Sequence, residues 1–115
     1  MRIAIDMQGA QSESRFRGIG RYSTELVKAL VEGNPKDEFI LVMNGAFLRT
    51  VEPIKEEFRP FNRNTTTAVW FPPTDVVGEC FSPSDWRREL AERAREFFIA
   101  EFEPDLLLIT SLFEG

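Results

Sequence analysis

The chain has no histidine and a single cysteine, Cys80, among its 115 residues. One thiol forms no internal disulfide, which fits a reducing compartment, and without histidine a zinc or haem site built by this chain lacks its usual ligands. Basic excess is missing as well: 14 Lys and Arg stand against 19 Asp and Glu, for a net charge of −5. A general nucleic-acid binder needs surplus cations to displace counterions from a phosphate backbone, so that class is set aside. No apolar run approaches the about 18 residues of a membrane span. Met1 is followed at once by the strand-like Arg2-Ile3-Ala4-Ile5, so no signal peptide is expected ahead of the fold and the expected location is the cytoplasm.

What is present is ordinary for a globular domain, 43% hydrophobic and 29% charged residues, in a length that suits one domain or part of one. Short apolar runs alternate with longer amphipathic ones. Arg2 to Asp6 reads as a buried strand, and the polar stretch from Gln8 to Arg17 as a long exposed loop. Ile19, Tyr22, Leu26, Val27, Leu30 and Val31 fall at helical spacing, and Gly33-Asn34-Pro35 supplies a glycine C-cap and a proline stop. Glu38 to Met43 is a second strand. Phe47 to Phe58 is a short helix with Leu48, Val51, Ile54 and Phe58 on one side and Pro53 interrupting it.

The β-branched and aromatic run from Thr65 to Phe71 is a third strand, ended by Pro72-Pro73. Residues 74–81 read as a loop. Ser82 as N-cap, Pro83 at the first helical position and Asp85 then open a helix whose stripe of Trp86, Leu90, Ala94, Phe97, Phe98 and Phe102 is expected in the core. The opposite charges, Arg87 to Glu89, Glu92, Arg93, Arg95 and Glu96, read as a solvated face. Glu103-Pro104 ends it. Leu106 to Ile109 is a fourth strand, and its lack of polar alternation predicts a central place in a parallel sheet. Since domains rarely end on such a strand, the chain is expected to be the front portion of a longer protein. The alternation predicts a Rossmann-like three-layer α/β/α fold, with a mainly parallel sheet of about four strands and helices on both faces.

Ligands of such sheets bind beyond the carboxyl ends of the strands, where crossovers change sides. Three stretches fall there: Asp6, the segment Arg17-Gly18-Ile19-Gly20-Arg21 continuing to Ser23, and Ser111 to Gly115 with Phe113 and Glu114. Two glycines at a helix start let backbone N–H groups approach an anion, and Arg15, Arg17 and Arg21 add guanidinium groups suited to phosphate or carboxylate. A plain turn with a helix start explains the glycines equally well. The dinucleotide fingerprint is not met, because Gly18 comes twelve residues after Asp6 and no acid closes a following strand at the required distance. Asp6 suits either a phosphoacceptor, as in a receiver domain, or a carboxylate that closes its own turn, and the second reading is preferred. A dehalogenase-type site would want another aspartate two residues on, where Gln8 stands.

Together Ile3-Ala4-Ile5-Asp6, the polar loop into Arg17-Gly18-Ile19-Gly20-Arg21-Tyr22, the Trp86-Arg87-Arg88-Glu89 helix and the closing Ser111-Leu112-Phe113-Glu114-Gly115 resemble the N-terminal half of a family 4 glycosyltransferase of the GT-B fold. The resemblance spans the chain. It implies retaining, metal-independent transfer of a sugar from a nucleotide-diphosphate donor to a glycan or lipid acceptor, with no cofactor beyond the donor itself. It implies that Gly18 and Gly20 approach the donor phosphates, that Ser111 to Gly115 line the cleft, and that Glu114 is a polar contact there. It also implies a C-terminal domain, absent from these residues, whose basic residue and paired glutamates hold the donor. The histidine that many members place in the N-terminal half is not found. Alone, the chain is expected to be inactive, because a leaving diphosphate is stabilised by positive groups from both sides of the cleft. A non-catalytic α/β module that acts through Asp6 or a sheet edge is the alternative.

Overall fold

A computed structural model describes residues 1–11, 18–72 and 86–110. Four strands, β1 (Arg2–Asp6), β2 (Glu38–Asn44), β3 (Thr65–Trp70) and β4 (Leu106–Ile109), pair in parallel in the order β3-β2-β1-β4. The helices are α1 (Gln8–Gln11), α2 (Gly18–Gly33), α3 (Leu48–Glu57) and α4 (Trp86–Ala100). The strand order explains the layers. From β1 to β3 the chain moves in one direction, so right-handed crossovers put α2 and α3 on one face. From β3 it returns past β1 to β4, and the same handedness puts α4 on the other.

The two cores obey this arithmetic. Ile5, Leu41 and Met43 pack with Val27 and Val31 of α2 and Val51 and Ile54 of α3. Ala4, Ile40, Val42 and Trp70 pack with Ala91 and Ile99 of α4. Register links them: Ala4 stands between Ile40 and Leu107, and Ile5 between Leu41 and Leu108, so side chains alternate between the two helical layers in step across the sheet. The predicted α/β class, with helices on both faces, is what the chain forms.

Several local expectations are corrected. Gln8–Gln11 is a short helix, where a loop was expected, because Met7 and Ala10 belong to the core and draw this turn onto the sheet. Gly33 remains the last residue of α2 and does not supply a left-handed cap. The end is closed instead by Asn34, whose Nδ2 donates to Leu30 O at 2.7 Å. Pro53 does not interrupt α3, which runs through it for ten residues. Leu48 is exposed, whereas Val51, Ile54 and Phe58 are buried as predicted. The third strand ends at Trp70, and the exposed Phe71 ring lies so close to Gly45 that a Cβ there would collide with it.

On α4 the buried stripe is Ala91 and Ile99, with Ala94, Phe98 and Phe102 packed against them, while Trp86, Leu90 and Phe97 of the expected stripe are exposed. The helix ends ahead of Glu103, which takes a left-handed φ of 48° before Pro104. The proposed start of this helix at Ser82 to Asp85 lies outside the described residues. Finally, β4 is not central. It is an edge of the sheet formed by the described residues, with Leu106, Leu107 and Ile109 exposed.

Candidate functional site

Crossovers change direction between β1 and β4, so the crevice that a doubly wound sheet offers a ligand opens beyond Asp6 and Ile109. In parity with Ala4, Asp6 faces the α4 layer. It is 2% exposed. Its Oδ1 accepts from Gln8 N at 3.0 Å, which is the turn closure preferred from sequence, and its Oδ2 accepts from Arg95 Nη1 at 2.9 Å. A carboxylate occupied on both oxygens and sealed from water is poorly placed to accept a phosphoryl group.

The pairing with Arg95 corrects the solvated-face reading of α4 at this position. Arg95 lies four residues after Ala91 and four before Ile99, hence on the buried stripe, and its side chain is only 26% exposed. Glu89, Glu92, Arg93 and Glu96 are exposed as predicted, with Arg93 within 3.9 Å of Glu89 and 3.7 Å of Glu96.

From Asp6 the network continues into the other helical layer. Thr110 Oγ1 donates to Asp6 O at 2.9 Å, and Ser23 Oγ of α2 donates to Thr110 O at 3.3 Å. Ser23 is 1% exposed. It therefore docks the opening turns of α2 against the end of β4, and Gly18, Ile19 and Gly20 occupy the first turn of that helix. This corrects the glycine loop: both glycines are helical, and their N–H groups are among the four that a helix leaves without intrahelical partners. No acidic residue stands in this first turn to offset the positive end of the helix dipole.

A second polar cluster braces the neighbouring strand end. Gln11, 2% exposed, donates from Nε2 to Asn44 O at 3.0 Å and to Thr50 Oγ1 at 3.1 Å, while Asn44 N donates to Gln11 Oε1 at 2.8 Å. The amide side chain thus pairs with both backbone groups of Asn44 as a neighbouring strand would. Thr50 Oγ1 donates to Phe47 O at 2.6 Å, and Asn44 Oδ1 accepts from Ala46 N at 2.9 Å.

Of the predicted site residues, the structure brings Asp6 and the Gly18-Ile19-Gly20-Arg21 turn to one end of the sheet through Thr110 and Ser23. Arg15, Arg17, Ser111, Leu112, Phe113, Glu114 and Gly115 lie outside the described residues. Ser23 closes the predicted segment at this end, and sequence reasoning missed Arg95, Gln11 and Thr110 as members of it. The spacing of Arg95 from Ala91 and Ile99 could have found it. Nothing in the pattern marks Gln11. Among the described residues no group of three or more His, Cys, Asp or Glu is arranged to hold a metal ion, and no helix is long and apolar enough to cross a membrane.

The chain is similar to the serotype-specific mannosyltransferase WbdA of Escherichia coli, with 29% identity over 116 aligned residues. The alignment takes in all of this chain and 14% of WbdA, so the chain spans about one seventh of that relative's length. No family model matches the chain, and no solved structure does.

Proposed function

We propose that the chain forms the N-terminal, acceptor-side part of a cytoplasmic glycosyltransferase of the GT-B type. It would transfer a sugar, with retention and without a metal, from a nucleotide-diphosphate donor to a glycan or lipid acceptor. The observation that carries this reading is the start of α2 at the β1/β4 switch point, held there by Ser23 and free of acidic residues in its first turn. N–H groups of Gly18, Ile19 and Gly20 are the donors that would take phosphate oxygens, since backbone donors at a helix start suit an anion and glycine lets it approach closely. Similarity to a mannosyltransferase along the whole chain agrees with that chemistry. Arg17, Arg21 and Glu114 are the side chains assigned to the same cleft.

In this reading the chain supplies one wall of the cleft. A leaving diphosphate is stabilised by fixed donors on each side of it, so turnover requires the second domain, and these residues alone are inactive. The receiver-like alternative finds no support in Asp6, whose carboxylate is buried and engaged by Gln8 and Arg95. Calorimetric titration of the full-length protein with nucleoside diphosphates tests the assignment. Binding is expected, and Gly20→Trp, which sets an indole at the helix start, is expected to weaken it at least about tenfold. Unchanged affinity and unchanged sugar transfer in Gly20→Trp would remove the α2 turn from the site.

A further inference from the structure

We propose that the groove between α3 and the outer side of β3 binds a neutral sugar ring, a pyranose unit of the acceptor glycan held apart from the transfer cleft. The sugar chemistry is argued from the groove itself, and only its source in an acceptor rests on the reading of the chain as part of a glycosyltransferase. The groove holds a cavity of about 350 Å³, at the small end of ligand pockets. It lies against the first three residues of β3, at the amino end of the sheet, whereas the crevice beyond Asp6 lies at the carboxyl end.

Thr65 opens β3 and is 7% exposed, and its Oγ1 is the one buried side-chain polar atom without a hydrogen-bond partner among the described residues. A sealed hydroxyl left unpaired is costly and rare in a native fold. Thr65 is a wall residue of the cavity, and a ligand hydroxyl seated there supplies the missing bond. Backbone groups stand beside it. Phe39 N donates to Asn64 O at 2.8 Å, so by the alternation of a parallel ladder the N–H and C=O groups of Thr65 and Thr67 point away from β2. On that side no strand pairs with β3 among the described residues. Donors and acceptors at fixed spacing thus line one wall of the groove.

The facing wall is charged but balanced. Lys55 pairs with Glu52 at 3.8 Å and Arg59 with Glu56 at 2.5 Å, two cations against two anions. An anionic ligand would compete with a carboxylate for each cation, and a cationic one with Lys55 or Arg59 for each carboxylate. A neutral ligand rich in hydroxyls meets no such competition, because each hydroxyl donates one bond and accepts two, to carboxylates and from the Asn62 amide or the threonine hydroxyls. Phe58, buried in the same wall, offers an apolar stretch to the C–H groups of the ring. A peptide strand added to the edge would run the length of β3, yet the cavity is confined to its first half, which suits a compact ligand.

Threonine-methyl NMR of the full-length protein, titrated with methyl glycosides of mannose, glucose and galactose, tests the site. The Thr65, Thr66 and Thr67 signals are expected to shift for at least one of them, with a dissociation constant on the order of 1 mM, and a linear trisaccharide of the same sugar is expected to bind at least about fivefold more tightly. Thr65→Val, which keeps the shape and removes the unpaired hydroxyl, should weaken sugar binding at least about fivefold while raising the Tm of the unliganded protein. Asn62→Ala, at an exposed position, leaves the fold intact and should weaken binding at least about threefold. No shift at about 50 mM of any glycoside, equal shifts with inorganic phosphate, or unchanged affinity in both variants would overturn the proposal. A lowered Tm in Thr65→Val would overturn it too, since the hydroxyl would then have a partner in the free protein. A trisaccharide that binds no more tightly than the methyl glycoside would overturn the acceptor-glycan source. None of these readouts involves a nucleotide, so failure here and failure of the nucleotide titration are separate results.

Discussion

Replacing Arg95 with glutamine leaves the Asp6 carboxylate buried with one of its two partners. Its charge sits about 4 Å from the guanidinium charge, and at an effective dielectric constant of about 20 the gross attraction is about 4 kcal/mol. Two features lower the net loss. Arg95 keeps 26% of its side chain in water, and Gln8 N still donates to Asp6 Oδ1 in the variant. Breaking a fully buried pair costs about 3–5 kcal/mol, so about 2–3 kcal/mol is expected here. For a domain of this size that lowers Tm by about 8–12 °C. Urea unfolding followed by far-UV circular dichroism measures it. The double variant Asp6→Asn/Arg95→Gln should be more stable than Arg95→Gln, because the uncompensated charge is gone, with a coupling of about 1.5 kcal/mol or more in the cycle. A loss below about 0.5 kcal/mol in Arg95→Gln, or additive single variants, would show that the pair is a surface contact in solution and refute the reasoning.

Gln11→Ala should cost about 2–4 kcal/mol in urea unfolding, because it strands both backbone groups of Asn44 in a site 5% exposed; a change near zero would mean that water replaces the amide. Ser23→Ala should cost about 1 kcal/mol and speed amide exchange in the opening turns of α2, as the bond to Thr110 O is lost. Unchanged exchange there would mean that apolar packing, not this hydroxyl, docks the helix start.

The elements themselves could be read from sequence because each strand is an apolar run bounded by polar or helix-stopping residues, and each long helix shows its 3.6-residue period. The parallel class followed from their alternation. What could not be read was which side of a doubly apolar element faces inward. On α4, the stripe through Leu90 and Phe97 and the one through Ala91, Phe98 and Ile99 differ by a single residue, about 100° of rotation, and both are apolar. Choosing the first placed Arg95 in solvent. With the second it lies over the sheet, opposite Asp6. For β4 the apolar content was read correctly and its consequence was not, since apolar residues on both faces do not say how many neighbours a strand has, and among the described residues β4 pairs with β1 alone. Gln11 escaped because an amide that stands in for a strand's backbone has no periodic signature. Ser23 was placed at this end by sequence, but its bond to Thr110 depends on where that residue lies in space.

The two ends of the sheet are held by different means, and the difference bears on where a ligand can act. At the amino end the ties include exposed ion pairs, Met1 N to Asp37 at 3.1 Å and Arg2 Nε to Glu38 at 3.0 Å with side chains 42% and 49% exposed, beside hydrogen bonds from Arg2 Nη1 to Phe102 O and from Arg2 N to Asp105 Oδ2, each 2.7 Å. Each exposed ion pair is worth about 0–1 kcal/mol and is screened by salt. At the carboxyl end Ser23, Thr110, Asp6 and Arg95 form one connected path from the α2 layer through two strand ends to the α4 layer, and Ser23 and Asp6 are nearly sealed from water. Bonds in such a setting are little screened by salt, and donors positioned in advance meet a ligand without further ordering. The helix start of α2 is thus tied through Ser23 to the end of the sheet where the switch point lies.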